Sequence, residues 1–133
     1  MTTNTSITIN LGDAFLLDIP DTGNEHLFIA IAKTTKDKYL FVNVTTRRGN
    51  SETTCILKPG SGVPSFIKQE SVIAYQYAHE IDAIQVVKLI TKGSRIPKAS
   101  CSTNILNLIQ QGGLVSKRLP RKYKNALKQF LGI

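Results

Sequence analysis

The sequence contains few of the residues that build metal sites and disulfide frameworks. Of its 133 residues only two are cysteines, Cys55 and Cys101, and only two are histidines, His26 and His79. The cysteines are not at Cys-x-x-Cys spacing, and no Cys/His spacing is typical of a zinc site. We therefore expect two free thiols that act as small apolar side chains, no metal site and no cofactor.

Long hydrophobic runs and a leader segment are also missing. No apolar run approaches the roughly 20 residues that a membrane-spanning helix needs. The segment Met1-Thr2-Thr3-Asn4-Thr5 has no basic side chain and no long apolar stretch, which argues against a secretory signal. We expect a cytoplasmic protein without a membrane partner. The length of 133 residues predicts one domain over residues 1–133, and the 41% of hydrophobic residues are enough to form its core.

Each end of the chain lacks charge of one sign. Residues 1–32 contain four acidic side chains and no Lys or Arg, whereas residues 91–133 contain nine basic side chains and no acid. Residues 33–90 contain eight basic and five acidic side chains, so the three parts contribute −4, +3 and +9 to the formal net charge of +8. This asymmetry indicates a phosphate-rich or acidic partner for one face of the protein.

The first 80 residues have the pattern of short strands separated by turns. Pro20-Asp21-Thr22-Gly23-Asn24 and the polar residues 35–38 have the chemistry of turns. Several short strands at this spacing predict a small barrel or sandwich. The β-like runs cover residues 14–19, 26–32, 39–45, 53–57 and 72–78.

The apolar period changes to that of helices at Asp82. This residue is a candidate cap for a first short helix, and Ser102 or Thr103 for a second helix that Gly112-Gly113 would end. Pro120 fits the first turn of a third helix. We therefore predict a mainly β protein with C-terminal helices. The apolar stripe of the third helix consists of Tyr123, Ala126, Leu127, Phe130 and Leu131.

Several segments, taken in order, resemble the MazF/PemK/Kid-like growth-inhibitor toxins. The similarity covers roughly residues 11–84 and depends on the order of the segments, because none of them is specific alone. The region 85–133 shows no such similarity. The segments are Gly12-Asp13 with the run from Phe15 to Ile19, the turn Gly23-Asn24-Glu25, the strand from Leu27 to Ala32, Val42-Asn43-Val44-Thr45-Thr46, and Ser71-Val72-Ile73-Ala74-Tyr75 running to Asp82.

The resemblance implies a small SH3-like β-barrel over residues 11–84, in a homodimer. The sequence pattern predicts a basic helical segment over 85–133 after it. The resemblance further implies a protein of a toxin–antitoxin system that binds RNA, cleaves it as a metal-independent endoribonuclease, and is inhibited by a small acidic antitoxin-like protein. In such cleavage the 2′-hydroxyl of the RNA attacks the adjacent phosphorus. The enzyme then moves protons and stabilises the added negative charge.

The resemblance places Glu25 at the turn glutamate of the family and Thr46 at its hydroxyl position. The toxins carry an Arg-Pro pair between that glutamate and the second strand, where this chain has only His26. His26 is therefore a candidate acid or base beside Glu25. Arg47 or Arg48, directly after Thr46, is the candidate cation for a phosphate. The candidate catalytic residues are Thr46, Arg47, His26 and Glu25.

A second candidate surface is the basic stretch that follows the second predicted helix. Its side chains would contact phosphates through charge, or form an ordinary solvated helix face. Residues 11–84 hold seven basic and nine acidic side chains, which places the basicity beside the barrel rather than in it. The alternative function is therefore a non-enzymatic SH3-like module for nucleic acid or an acidic protein partner. The candidate nucleic-acid-binding residues are Thr45, Arg48, Lys117, Arg118, Arg121, Lys122 and Lys124.

Overall fold

An antiparallel sheet and three helices make up the part of the chain that the structure describes. The structure is a computed structural model, and it describes residues 8–18, 26–35, 37–60, 62–65, 67–89 and 98–133. The mainly β class with C-terminal helices is confirmed. The elements in chain order are β1 (Asp13–Leu17), β2 (His26–Thr35), β3 (Lys38–Thr46), β4 (Ile56–Leu57), β5 (Ser71–Asp82), α1 (Ala83–Leu89), β6 (Lys98–Ser100), α2 (Thr103–Val115) and α3 (Arg121–Leu131).

The strands form one sheet in the order β4-β5-β3-β2-β1-β6. The predicted hairpin connection is confirmed, since Thr35 pairs with Lys38 and the intervening Asp37 has a φ of 67°. Within the described residues β4 and β6 lie at opposite edges, so the sheet is not closed into the expected barrel. These edge strands have only two and three residues, and α2 and α3 cover the core that a closed barrel would enclose.

Strand β2 is buried on both faces. Ile29 packs in one cluster with Ile109 of α2 and Leu127 of α3. Phe28, its neighbour in the strand, packs in a second cluster that includes Val86 of α1. Because successive side chains of a strand point to opposite faces, both faces carry a core, as the nearly continuous apolar run predicted. No helix among the described ranges is long and apolar enough to cross a membrane.

The starts of the three helices agree closely with the sequence pattern. Asp82 caps α1, because its Oδ1 accepts a hydrogen bond from the backbone N–H of Gln85 at 2.7 Å. Of the two candidate caps for α2, Ser102 takes the position, and its Oγ accepts from the N–H of Ile105 at 3.2 Å. Pro120 directly precedes α3. Local capping chemistry therefore identified the starts of α1 and α2.

The two glycines of α2 lie inside the helix, so the prediction that Gly112-Gly113 end it is wrong. The helix continues to Val115, and the N–H of the following Ser116 donates to the Gly112 carbonyl at 2.8 Å. A Cβ on Gly113 would lie 2.8 Å from Cδ2 of Leu127, and a Cβ on Gly112 would overlap the Tyr75 hydroxyl. The glycines thus permit α2 to approach α3 and β5 closely.

Both cysteines are free thiols, as the sequence predicted. Cys55 is buried, and desolvation raises its pKa to about 11, so it remains an uncharged thiol at neutral pH. Cys101 is half-buried, and burial likewise raises its pKa. These properties agree with the expected role as small apolar side chains.

The short strand β6 was not predicted from the sequence. It pairs antiparallel with β1, with Asp13 opposite Ser100. The hydroxyl of Ser100 donates to Oδ1 of Asp13 at 3.0 Å, and the N–H of Cys101 donates to the Gly12 carbonyl at 3.1 Å. The acidic first third and the basic last third of the sequence are therefore joined at this edge of the sheet.

A buried glutamine of α2 binds a bulge in β2. The β2–β3 register shifts between Ala30 and Ala32, which leaves Ile31 out of the paired ladder. The Ile31 carbonyl accepts a hydrogen bond from Nε2 of Gln110 at 2.8 Å, and both residues are buried. Gln110 therefore satisfies a backbone acceptor that the regular ladder leaves unpaired.

Replacing Gln110 with leucine is expected to lower the free energy of unfolding by about 1–3 kcal/mol, because the Ile31 carbonyl would remain buried without its donor. The adjacent Gln111 is exposed, so Gln111→Leu is a matched control with an expected change below about 0.5 kcal/mol. Urea denaturation of the two variants measures the difference. Equal stabilities would contradict the role assigned to Gln110.

Candidate functional site

Three cavities meet at the end of β3, at a surface formed by Thr45, Thr46, Arg47 and Arg48, which we call the rim. Thr46 pairs with Ser71 of β5, after which the chain leaves the sheet through the two arginines. Thr46 lines all three cavities, whose volumes are about 520, 210 and 280 Å³. The hydroxyl position predicted from the sequence is therefore open to a ligand.

The Thr46 hydroxyl has a defined orientation. Its Oγ1 accepts a hydrogen bond from Nε2 of Gln69 at 3.3 Å. Because a hydroxyl can donate one hydrogen bond and accept two, the Thr46 proton remains available to an incoming oxygen such as that of a phosphate. Thr45, the preceding residue of β3, is exposed and lines two of the three cavities.

The two arginine side chains of the rim differ in their hydrogen-bond and ion-pair partners. Nη1 of Arg47 lies 2.6 Å from Oε2 of Glu70, and the Arg47 N–H donates to the Glu70 carbonyl at 3.1 Å. The Arg48 side chain has no hydrogen bond or ion pair with any other described residue, although its N–H donates to Oγ of Ser51. Among the described residues, therefore, Arg47 is held by a carboxylate and Arg48 is not.

Arg118 brings part of the basic C-terminal stretch to the rim. It lines the 210 Å³ cavity together with Thr46 and Arg48, and we call this cavity the arginine cavity. Its Nη1 donates to the Asn50 carbonyl at 3.3 Å, in the loop that follows the rim. Two arginines from distant parts of the chain therefore line the same space, which favours an anion there.

Glu52 fixes this junction between the loop and the end of α2. Its Oε2 accepts hydrogen bonds from Oγ of Ser116 at 2.7 Å, from the N–H of Lys117 at 3.2 Å and from Oγ1 of Thr54 at 3.1 Å. Its Oε1 is buried and has no hydrogen-bond donor among the described residues. Glu52 also lines the arginine cavity, so a carboxylate stands beside the two guanidiniums.

A second cationic cavity, of about 520 Å³, lies at the start of α3, and we call it the α3 cavity. Four of its six described lining side chains are Lys or Arg, and none is a carboxylate. One of them is tied to the protein, since Nζ of Lys124 donates to the Ser116 carbonyl at 2.6 Å. The lining residues are Lys117, Leu119, Arg121, Lys124, Asn125 and Lys128.

The remaining predicted site residues that the structure describes do not line the rim cavities, although His26 is next to Leu27, which pairs with Val44 beside Thr45. His26 is half-buried on β2, with its ring centroid 6.5 Å from that of Phe28, and it is not among the described residues that line the three rim cavities. Nζ of Lys122 lies 4.9 Å from the centroid of the Tyr123 ring, outside the described lining of the α3 cavity. Glu25 and the turn that precedes it lie outside the described residues.

No protein-family model matches the chain, and no curated protein matches its sequence. The function is therefore inferred from the chemistry of the site, where Arg48, Arg118 and Thr46 line one cavity.

Proposed function

We propose that the protein is a toxin-like RNA-binding protein whose rim and Arg118 hold the phosphates of an RNA strand. The observation that carries the proposal is the presence of Arg48, Arg118 and the Thr46 hydroxyl in one cavity. A guanidinium binds a phosphate through two parallel N–H···O bonds, and a hydroxyl donates to a further oxygen. The segments that resemble the MazF/PemK/Kid-like toxins, in the same order along the chain, support RNA as the polymer.

The α3 cavity supports a longer path for the strand. Lys117 lines it, and Lys117 precedes Arg118 of the arginine cavity in the sequence, so the two cationic surfaces adjoin. Four cations without a carboxylate among the described lining residues attract a polyanion in a salt-dependent manner. We place the base-contacting part of the strand at the rim and the flanking phosphates over the α3 cavity.

Cleavage of the bound RNA is a second candidate function, which the Thr46 hydroxyl in the same cavity as Arg48 favours. The 2′-oxygen would form a bond to phosphorus while the 5′-oxygen of the next nucleotide leaves. One group must remove the 2′-hydroxyl proton, and another must protonate the leaving oxygen. Arg48 and Thr46 would stabilise the added charge. His26 with Glu25 is the candidate pair that would move the protons.

The competing function is non-enzymatic binding of an acidic protein, such as a small antitoxin or the acidic first third of a second copy in a homodimer. The α3 cavity is compatible with it, because peptide carboxylates bind the same lysines as phosphates do. The arginine cavity favours RNA, since its paired guanidiniums and hydroxyl match a tetrahedral phosphate better than scattered carboxylates.

Fluorescence anisotropy of a short labelled single-stranded RNA, measured over a salt series, tests the proposal. We expect binding that weakens as salt rises and that unlabelled RNA displaces more effectively than polyglutamate of equal charge. Equal or better displacement by polyglutamate would favour the acidic protein, and no RNA binding at low salt would overturn the proposal. Cyclic-phosphate ends on a long RNA incubated with chelator would identify cleavage by the self-attack route.

Neutralising Glu70 is expected to strengthen RNA binding, because its carboxylate pairs with Arg47 beside the rim. Glu70→Gln should lower the Kd at low salt by roughly 3- to 10-fold, about the contribution of one additional cation at an exposed site. The control is Glu80→Gln, which removes the same charge from an exposed carboxylate near the other end of β5. Equal effects of the two variants on the Kd would contradict the role of Arg47 at the rim.

A further inference from the structure

The arginine cavity contains an aromatic side chain that the sequence pattern did not identify as functional. Tyr77 of β5 is 59% exposed, and it lines this cavity together with Arg48 and Arg118. Gln76, the preceding residue, is also exposed and lines the same cavity. An aromatic ring, a side-chain amide and two guanidiniums are the groups that proteins use to bind unpaired nucleotides.

The exposure of Tyr77 has a structural cause in the pairing of β3 with β5. Asn43 pairs with Ala74 and Phe41 pairs with His79, so a single residue of β3 lies opposite four residues of β5. In a regular strand, neighbouring side chains point to opposite faces. Here the irregularity leaves Gln76 and Tyr77 both exposed, between buried neighbours on either side.

A singly exposed tyrosine is ordinary on a protein surface. Tyr77 differs because its cavity also holds two guanidiniums and the Thr46 hydroxyl, which are suited to the phosphates on both sides of a base. We infer that Tyr77 is the stacking platform for one unpaired base of the RNA, with Arg48 and Arg118 on the flanking phosphates. This inference rests on the proposed function.

The inference specifies the substrate class as single-stranded RNA. A base within a duplex is already stacked and paired, so it is not free to lie on the Tyr77 ring. Every base has a flat face, and stacking on tyrosine therefore adds affinity without demanding a particular base. The side-chain amide of Gln76 adds a donor and an acceptor for a base edge.

Substitutions at Tyr77 test the inference with the full chain and a short single-stranded RNA. Tyr77→Ala is expected to raise the Kd roughly 10-fold, the loss of stacking on one base, with an unchanged salt slope. Tyr77→Phe keeps the ring and should retain most of the affinity. Phe130→Ala, which removes another exposed ring outside the arginine cavity, is the control and should leave the Kd unchanged.

A single-tryptophan reporter gives an independent readout, because the chain contains no tryptophan. The fluorescence of a Tyr77→Trp variant should be quenched by single-stranded RNA and not by duplex RNA, whereas a Phe130→Trp variant should respond to neither. The inference is overturned if the wild type binds RNA, the Tyr77→Trp fluorescence is not quenched by single-stranded RNA, and Tyr77→Ala leaves the Kd unchanged. That result would leave the proposed function standing. An absence of RNA binding by the wild type would overturn both.

Discussion

Replacing Gly112 with alanine is expected to lower the free energy of unfolding by about 3 kcal/mol, although alanine is the better helix former by about 1 kcal/mol. The new Cβ would overlap the Tyr75 hydroxyl and lie 3.2 Å from Cβ of Cys55. Overpacking of a core costs about 1–3 kcal/mol. Tyr75 is fully buried and donates to the Ile109 carbonyl at 2.6 Å, and displacing it leaves buried polar groups unpaired, at about 1–3 kcal/mol more.

Urea and thermal denaturation measure this effect, with Gly49→Ala as the control. A Cβ at Gly49 would meet no atom within 4 Å, so that substitution should change stability by less than about 0.5 kcal/mol. Adding Tyr75→Phe to Gly112→Ala removes the overlapped hydroxyl and should recover part of the loss. A Gly112→Ala variant as stable as the wild type would contradict the close approach of α2 to β5.

Replacing Arg48 and Arg118 together with alanine is expected to weaken binding of single-stranded RNA about 100-fold at low salt. The two guanidiniums line one cavity, and each charge-assisted contact contributes about 1.5–3 kcal/mol, with losses that overlap because the sites are neighbours. The slope of log Kd against log salt should fall by about 1.4, since each phosphate contact on a single strand contributes about 0.7. Arg47→Ala should have a smaller effect, because Glu70 already holds that guanidinium.

The matched control for this double variant is Lys38→Ala combined with Lys58→Ala. Both lysines are exposed, and neither is among the described residues that line the rim cavities or the α3 cavity. The two double variants have the same net charge, so only the position of the lost charges differs. An equal loss of affinity in both would show that the RNA responds to overall charge and would contradict a site at the rim.

Local sequence patterns predicted the strands, the hairpin and the helix starts, which depend on residues close together in the chain. The apolar run at 26–32 and the turn at 35–38 became β2 and the β2–β3 hairpin. The capping side chains of Asp82 and Ser102 mark the starts of α1 and α2. The end of β3 at Thr46, followed by two arginines, also agrees with the predicted strand end.

Long-range packing determined the features that the sequence pattern missed. Gly112-Gly113 fits the local rule for a helix end, but here the pair serves the contacts of α2 with Tyr75 and Leu127. A three-residue strand such as β6 has too few residues to show a period, and its pairing with β1 is a contact between opposite ends of the chain. The resemblance implied closure of the sheet, whereas α2 and α3 cover its core.

The candidate site also combines residues that the sequence identified with residues that long-range contacts bring to it. Thr46 and Arg48 could be identified from the sequence because they are nearly adjacent at the end of one strand. Arg118 reaches the rim through a hydrogen bond to Asn50, 68 positions earlier, and Glu52 meets Ser116 across 64 positions. Tyr77 lies in the arginine cavity because of the irregular pairing of β3 with β5, which the sequence around Tyr77 does not reveal.

An NMR titration of the ¹⁵N-labelled protein with single-stranded RNA tests most directly whether the rim is the RNA site. We expect the largest amide shifts in residues 45–51, in Gln76 and Tyr77, and in Lys117 and Arg118, which line the arginine cavity or are adjacent in sequence to residues that line it. Smaller shifts should extend to Arg121 and Lys124 of the α3 cavity. Saturating RNA that shifts amides of α3 alone, or that leaves residues 45–51 unchanged, would contradict the proposed site.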